Sequence, residues 1–369
     1  MHLSHLVLRD FRNASQIDII PDPGFNIFWG ENAQGKTNLL ESIYLLATLK
    51  SFRGARNEDL IRQGTSRARI QAEAVCGGVV RSLQLTIASE GKQPRVDGKT
   101  VTTAANFFGH LRPVVFAPEE VALVRGAPAG RRSLLDRAIF QADPSYLGRA
   151  QEYARVLRQR NRLLKDQRPK DEVAPWTAKL IEAGAAIRGE RQAYLTRLVP
   201  HFREAYQHIC GGREWAELSY PEGLEQSADR EAALARSLAA QRESEQRAGT
   251  TLSGPHRDDP QFLLDGRSIR PFASQGQQRS LMLAFKTAQI IDLEQRMGEA
   301  PVLLLDDLTG ELDRRRQEFF FRFLLERRSQ VFLTTTDLQP LLNEGFSRAR
   351  RFRVRGGTLD PEENATRPK

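Results

Sequence analysis

The chain has 369 residues, 40% of them hydrophobic and 27% charged, with a formal net charge of +9. Those values exclude a disordered or fibrous protein and leave room for one large domain or two, each with a substantial core. The positive excess suits an anionic partner, usually nucleic acid, and suits a merely basic surface equally well.

In chain order, apolar alternation predicts strands over residues 3–8, 16–20 and 25–29. The third strand runs into Gly30, Glu31, Asn32, Ala33, Gln34, Gly35, Lys36 and Thr37, which match the phosphate-binding pattern GxxxxGK[ST] at every fixed position. Glycines let the backbone wrap a phosphate so that successive N–H groups point inward. Lys36 is placed to reach the β- and γ-phosphates, and the Thr37 hydroxyl to bind Mg²⁺. From Asn38 to residue 46 the pattern is helical, so a helix N-terminus faces the same phosphates. The chain is therefore expected to bind a nucleoside triphosphate.

Further strands are expected at 68–75 and 81–87, a hairpin turn at Asp97-Gly98, and a short buried strand at 113–117. From about residue 130 the texture becomes helical, over 131–141, 144–166, 175–210 and 228–248, with a polar break at 165–173. Strand character returns after Thr250, with a second hairpin signal at Asp265-Gly266. A long helix over 277–298, an unbroken apolar strand over 302–305, a helix over 314–328 and a strand over 330–335 then make a β-α-β unit. The tail from residue 360 reads as disordered. Cys76 and Cys210 form no CxxC pair, so reduced thiols are expected. The opening residues lack the pattern of a secretory leader, and no apolar run approaches the roughly 18 residues that span a bilayer; a cytoplasmic protein without membrane contact is expected.

The apolar strand at 302–305 ends in Asp306-Asp307, which places two carboxylates at the carboxyl edge of a parallel sheet, where a phosphate loop also lies. Asp306 is assigned to Mg²⁺ and Asp307 to the attacking water, so Lys36, Asp306 and Asp307 form the catalytic set, with Thr37 and Asp306 as the metal ligands. Ser274 stands where it caps the long helix, and Gly276 and Gln277 follow in its first turn.

The order of these parts resembles the ATP-binding-cassette ATPases, in the branch that holds the SMC proteins and RecF. Gly30 to Thr37 correspond to Walker A, with Asn38 adjoining it; Ser274, Gly276 and Gln277 to the signature; Asp306-Asp307 to Walker B; Glu311-Leu312-Asp313 to the D-loop; and Thr334 to Asp337 to the switch. Over essentially its whole length the chain resembles the RecF family, through Leu8 to Asn13, Lys50 to Arg53, Phe116 to Glu120, Arg131 to Asp136, Gly254 to Asp259, the SQGQQR string from Ser274 and LLLDDL from Leu303. The resemblance implies an α/β fold, a P-loop ATPase head of this class with a mixed sheet around a central helix. The ATP-binding lobe would span 1–125 and 250–369, with an inserted α-helical lobe at 126–249. It implies ATP and Mg²⁺ as cofactors and a homodimer with two ATP molecules sandwiched between signature and Walker A. It also implies ATP-dependent binding to duplex DNA in replication and repair, and work with RecR and RecO to help load RecA at single-strand gaps. Asp307 in place of Glu and Thr336 in place of the switch His depart from the broad cassette pattern and suit slow hydrolysis. A Gln loop is not evident: Pro118-Glu119 stands in its place, and Gln63 is the other candidate. Arg12 and Arg53 match positions that approach nucleotide or DNA in that branch.

Arg131, Arg132, Arg155, Arg158, Arg160 and Arg162 suggest a basic helical face for DNA, bound through its backbone because no helix-turn-helix or zinc motif occurs. The alternatives are a transporter ATPase subunit, a small-molecule phosphotransferase, and a nucleotide-binding adaptor without turnover.

Overall fold

In the computed structural model of the chain, residues 1–101, 106–220, 229–307, 313–339, 341 and 346–361 are described. The elements in order are β1 (His2–Phe11), β2 (Ala14–Ile19), β3 (Phe25–Trp29), α1 (Lys36–Thr48), α2 (Asn57–Leu60), β4 (Arg67–Cys76), β5 (Val79–Ala88), β6 (Gly91–Val96), β7 (Lys99–Thr100), β8 (Pro113–Phe116) and α3 (Pro118–Arg125). Then follow α4 (Pro128–Ala142), α5 (Tyr146–Lys165), α6 (Lys170–Cys210), β9 (Ala216–Ser219), α7 (Arg230–Ala240), α8 (Arg242–Ala248), β10 (Gln261–Leu264), β11 (Arg267–Ser268) and α9 (Gln275–Met297). The chain closes with β12 (Val302–Leu305), α10 (Arg314–Leu325), β13 (Val331–Thr335), β14 (Arg350–Arg355) and β15 (Thr358–Pro361).

Two compact units result: Met1–Val121 with Gln289–Lys369, and Ala122–Ala288. The first holds two six-stranded sheets. One is antiparallel throughout, in the order β2-β1-β4-β5-β6-β7; the other runs β15-β14-β3-β13-β12-β8, parallel except for the β14–β15 hairpin. Helix α1 buries residues on nearly every side, among them Leu39, Leu40, Ile43, Leu45 and Leu46. A helix apolar all round must be enclosed. Here one core cluster joins α1 to Leu6, Ile70 and Leu85 of the antiparallel sheet and to Phe28, Leu304 and Phe332 of the mixed sheet. The expected mixed sheet around a central helix is present.

Both hairpin signals hold. Asp97 and Gly98 take φ of 50° and 76°, and Asp265 and Gly266 take 49° and 74°, the paired positive values a two-residue turn needs to match strand twist. Strand β9 and the arginine-rich β14 escape a pattern reading, because their apolar residues are too few. The expected helix over 228–248 is two helices meeting at Gln241, and residue 228 lies outside the described residues. Asp360 and Pro361, expected in a disordered tail, complete β15 against β14, with Arg353 opposite Asp360; 362–369 lie outside the described residues. The 261–268 hairpin belongs with the helices rather than with the lobe that begins the chain, because β10 pairs with β9, Leu263 opposite Glu217, so the second unit runs on to Ala288 instead of ending near 249.

That unit is built on buried ion pairs. Arg188 grips Asp258 through two hydrogen bonds of 2.9 and 2.7 Å, and the Tyr220 hydroxyl donates to the same carboxylate at 2.6 Å. Arg191 holds Asp136 in the same two-pronged way and donates to the Pro255 carbonyl. Arg160 joins Glu245 and Thr251, and Arg131 joins Asp259. Removing one member leaves a buried charge uncompensated. Arg188→Met is expected to destabilise the fold by about 3 kcal/mol or more, read as a lower urea midpoint at unchanged denaturant slope.

Candidate nucleotide site

The phosphate loop joins β3 to α1 as expected, and its backbone is shaped by contacts on two sides. Gly30 and Gly35 have φ of 149° and 108°. A Cβ on Gly30 would lie 2.5 Å from the Val354 carbonyl oxygen, so that position needs glycine for space as well as for φ, and one on Gly35 would lie 2.6 Å from the Asn13 side chain, where φ sets the need. Ala33 takes a positive φ of 62° without that freedom. Asn13, in the β1–β2 turn, donates from Nδ2 to the Gln34 carbonyl at 3.0 Å and accepts from Asn38 Nδ2 at 2.9 Å. From the β14–β15 turn, Gly357 N–H donates to the Gln34 carbonyl at 3.0 Å and Gly356 N–H to its Oε1 at 2.7 Å. Glu31 and Asn32 are exposed at the loop's tip.

Lys36 lies at the first turn of α1, 8% exposed, and its Nζ donates to the loop's own Gly30 and Glu31 carbonyls at 2.6 and 2.8 Å. Burial pushes its pKa down, opposed by the carboxylates of Asp307 and Asp306. The parallel register carries β12 beside β8 and β13, so Asp306 emerges next to the loop. Its Oδ1 accepts from Thr37 Oγ1 at 2.8 Å and from Thr334 Oγ1 at 2.8 Å. Thr334 in turn accepts from the Asp307 N–H at 2.9 Å, and Asp307 sits in the left-handed region with φ of 46°. One threonine hydroxyl thus joins the Asp306 carboxylate to the Asp307 backbone. Burial raises the pKa of Asp306; the two hydroxyl bonds oppose it, while Glu119 and Asp307 add to it. Lys36, Thr37, Asp306 and Asp307 are therefore brought together. The thread between them is Thr334, while Thr336, at the expected switch position, is exposed.

Thr37 and Asp306 offer adjacent hard oxygen donors, the kind Mg²⁺ takes together with phosphate oxygens and water. Among the described residues no group of three or more His, Cys, Asp or Glu could hold a metal by protein side chains alone, as a phosphate-assisted site requires none.

Ser274 caps α9. Its Oγ accepts from the Gln277 N–H at 3.2 Å, and Gln277 Oε1 accepts from the Ser274 N–H at 2.9 Å. That reciprocal pair is a capping box. Gln277 Nε2 donates to Glu214 at 2.7 Å, so its side chain is held within its own unit. Gly276 occupies the same first turn. Of the D-loop string, Glu311 and Leu312 lie outside the described residues, and Asp313 caps α10 through the Arg316 N–H at 3.0 Å.

The arginines divide differently from expectation. Arg12 makes a two-pronged bond of 2.9 Å each way to the fully buried Glu41 of α1, so it braces the loop helix, while Arg53 reaches Asn38 at 3.3 Å and is half-exposed. The expected basic helical face forms only in part, with Arg155, Arg158 and Arg162 exposed on α5. Arg131 and Arg160 are buried against Asp259 and Glu245, Arg132 donates to the Asp258 carbonyl, and Arg155 pairs with Glu152. Helical spacing alone could not show which guanidinium had a carboxylate waiting in a distant segment. Glu119 follows β8 and reaches Asp306 electrostatically, whereas Gln63 lies exposed after α2. His256 is held by Tyr153 at 2.6 Å and by the Thr251 carbonyl at 3.2 Å, and burial lowers its pKa.

With this geometry in view, the pattern of the RecF/RecN/SMC N terminal domain matches residues 2–353. The chain is 49% identical to the DNA replication and repair protein RecF of Syntrophotalea carbinolica over 97% of its own length and 99% of that protein. It is 45% identical to the RecF of Geobacter sulfurreducens over 98% of its length and the whole of that protein. A solved structure of the recombination mediator protein RecF-ATPrS in the RecFOR pathway superposes with a TM-score of 0.88 at 28% identity, covering 98% of each chain. An Smc head domain from Pyrococcus furiosus shares the fold, with a TM-score of 0.57 at 15% identity over 97% of this chain and 95% of that one.

The raised pKa of Asp306 carries a sign. Burial favours the protonated carboxyl, so the ionised form opposes folding above the folded-state pKa, and that cost disappears as pH falls below the ordinary carboxylate range. Asp306→Asn, which keeps an acceptor for both hydroxyls, is expected to melt higher than the unsubstituted chain at neutral pH without nucleotide. The gap between the two melting temperatures closes on acidification.

Proposed function

The chain belongs to the RecF family of the SMC-like ATP-binding-cassette ATPases, and from that premise we propose that it is an ATP-gated DNA-binding protein of replication and recombinational repair. The observation that carries this reading is the hydrogen-bonded line Thr37–Asp306–Thr334–Asp307 at the mouth of the phosphate loop.

On ATP binding, Lys36 exchanges the carbonyls of Gly30 and Glu31 for the β- and γ-phosphates, and the N–H groups from Gly30 to Asn38 wrap the triphosphate. Thr37 and Asp306 are the residues that would hold Mg²⁺, which would supply positive charge against the triphosphate. Asp307, turned by its left-handed backbone and tethered through Thr334, orients the attacking water. Asp is one methylene shorter than Glu, and a hydroxyl at the switch cannot become a cation, so turnover is slow and the ATP state long-lived. In a head-to-tail homodimer, Ser274, Gly276 and Gln277 place the pre-capped N-terminus of α9 over the γ-phosphate held by the other subunit. Closure on ATP clamps duplex DNA without reading its sequence, and hydrolysis releases it. We place this cycle in the cytoplasm, at single-strand gaps, where the protein acts with RecR and RecO to help load RecA; the similarity to a RecF of the RecFOR pathway supports that placement.

Anisotropy of a labelled duplex should show tighter binding with ATP and Mg²⁺ than without. Lys36→Met abolishes the difference, and an unchanged ATP effect in that variant would falsify the reading. Ser274→Arg retains ATP binding by the monomer but fails to dimerise in sedimentation velocity, because the bulk of the arginine fills the space in which the partner's phosphate docks. Ser274→Ala, which loses the cap at a cost of about 1 kcal/mol, still dimerises and so separates the steric effect from the cap.

A further inference from the structure

The antiparallel sheet has one face in the core and the other uncovered. On the uncovered face the strand registers align one row across five strands: Gln16 opposite Arg9, Arg9 opposite Arg69, Arg69 opposite Thr86, and Thr86 opposite Gln93. Gln16, Arg9, Arg69 and Gln93 are exposed and Thr86 is partly so. At about 4.8 Å per strand the row is roughly 19 Å long. Every member is a hydrogen-bond donor and none is a carboxylate.

Arg9 and Arg69 face each other directly, and among the described residues neither guanidinium has a hydrogen bond or ion pair. Like charges opposed across two strands destabilise a sheet. Two other arginines of this unit do meet a carboxylate, Arg12 at Glu41 and Arg81 at Asp97. The next row along carries Arg95 opposite Gln84, and its one acid, Asp18, is held by His5 at 2.6 Å.

We propose that this row is a binding surface for the phosphodiester backbone of duplex DNA, with Arg9 and Arg69 sharing phosphates and Gln16, Thr86 and Gln93 donating to flanking phosphate oxygens. The proposal rests on the DNA-binding reading above and assigns it a surface. The row runs beside several phosphates of one strand, which follow one another at about 3.4 Å along the helix axis. Amide, hydroxyl and guanidinium donors without apolar wedges fix position on a backbone and carry no base readout.

The test is the salt dependence of duplex binding by the full chain with ATP and Mg²⁺, comparing the unsubstituted protein with Arg9→Gln/Arg69→Gln. The double variant is expected to bind at least about tenfold more weakly, with the slope of log K against log salt reduced by about two, since each lost phosphate contact removes close to one. Its urea midpoint without DNA should stay level or rise, because the repulsion is gone; a merely structural role for the pair would lower it. Unchanged affinity and slope in the double variant, with ATP-enhanced binding intact in the unsubstituted chain, overturns the surface alone. No duplex binding by the unsubstituted chain overturns both the surface and the function it rests on. Should the double variant not fold, Gln16→Glu/Gln93→Glu decides: weakened binding supports the row, and undiminished binding refutes it.

Discussion

Enclosure of α1 between two sheets is the constraint on which the rest depends. Leu39, Leu40, Ile43, Leu45 and Leu46 leave the helix no free side, so its axis cannot move without opening the core on both faces. Its first residue is Lys36 and its N-cap is Gly35, which makes the phosphate loop the end of a clamped rod rather than a surface turn. Glu41, fully buried one turn further on, accepts Arg12 and ties the β1–β2 corner to the same helix. Rigidity in the core becomes geometry in the loop: Asn13 and Gly357 meet the Gln34 carbonyl from two strand turns that the sheets hold in place.

The carboxyl edge of the mixed sheet then completes the site by register. β12 lies between β8 and β13, so Asp306 emerges with Thr334 on one side and the region of Glu119 on the other. A buried acid with two hydroxyl donors is poised, and it is also costly, since its surroundings favour the neutral form. Lys36 rests on the loop's own carbonyls.

Charge is used in two ways. In the helical unit Arg131, Arg160, Arg188 and Arg191 each meet a carboxylate from a distant segment, and breaking one pair would leave the other member stranded. These pairs remove basic residues from any surface role. The uncompensated guanidiniums of the antiparallel sheet face, by contrast, are arranged by strand pairing.

The sequence by itself determined what is local. Gly30 to Thr37 specify a phosphate loop through spacing; the apolar run before Asp306 specifies a buried parallel strand; Asp97-Gly98 and Asp265-Gly266 specify tight turns; Ser274 specifies a helix start as its cap. Each signal is complete within a few residues. Tertiary structure alone decided the rest. It made Thr334 the partner of Asp306, buried Arg131 and Arg160 instead of presenting them, recruited Asn13 and Gly356 to the loop, drew β9 and β10 into one sheet, and set Arg9 opposite Arg69. These outcomes turn on which atoms meet across tens or hundreds of residues, and hydrogen bonds, carboxylate pairs and strand register are satisfied by proximity in space, for which local sequence carries no mark.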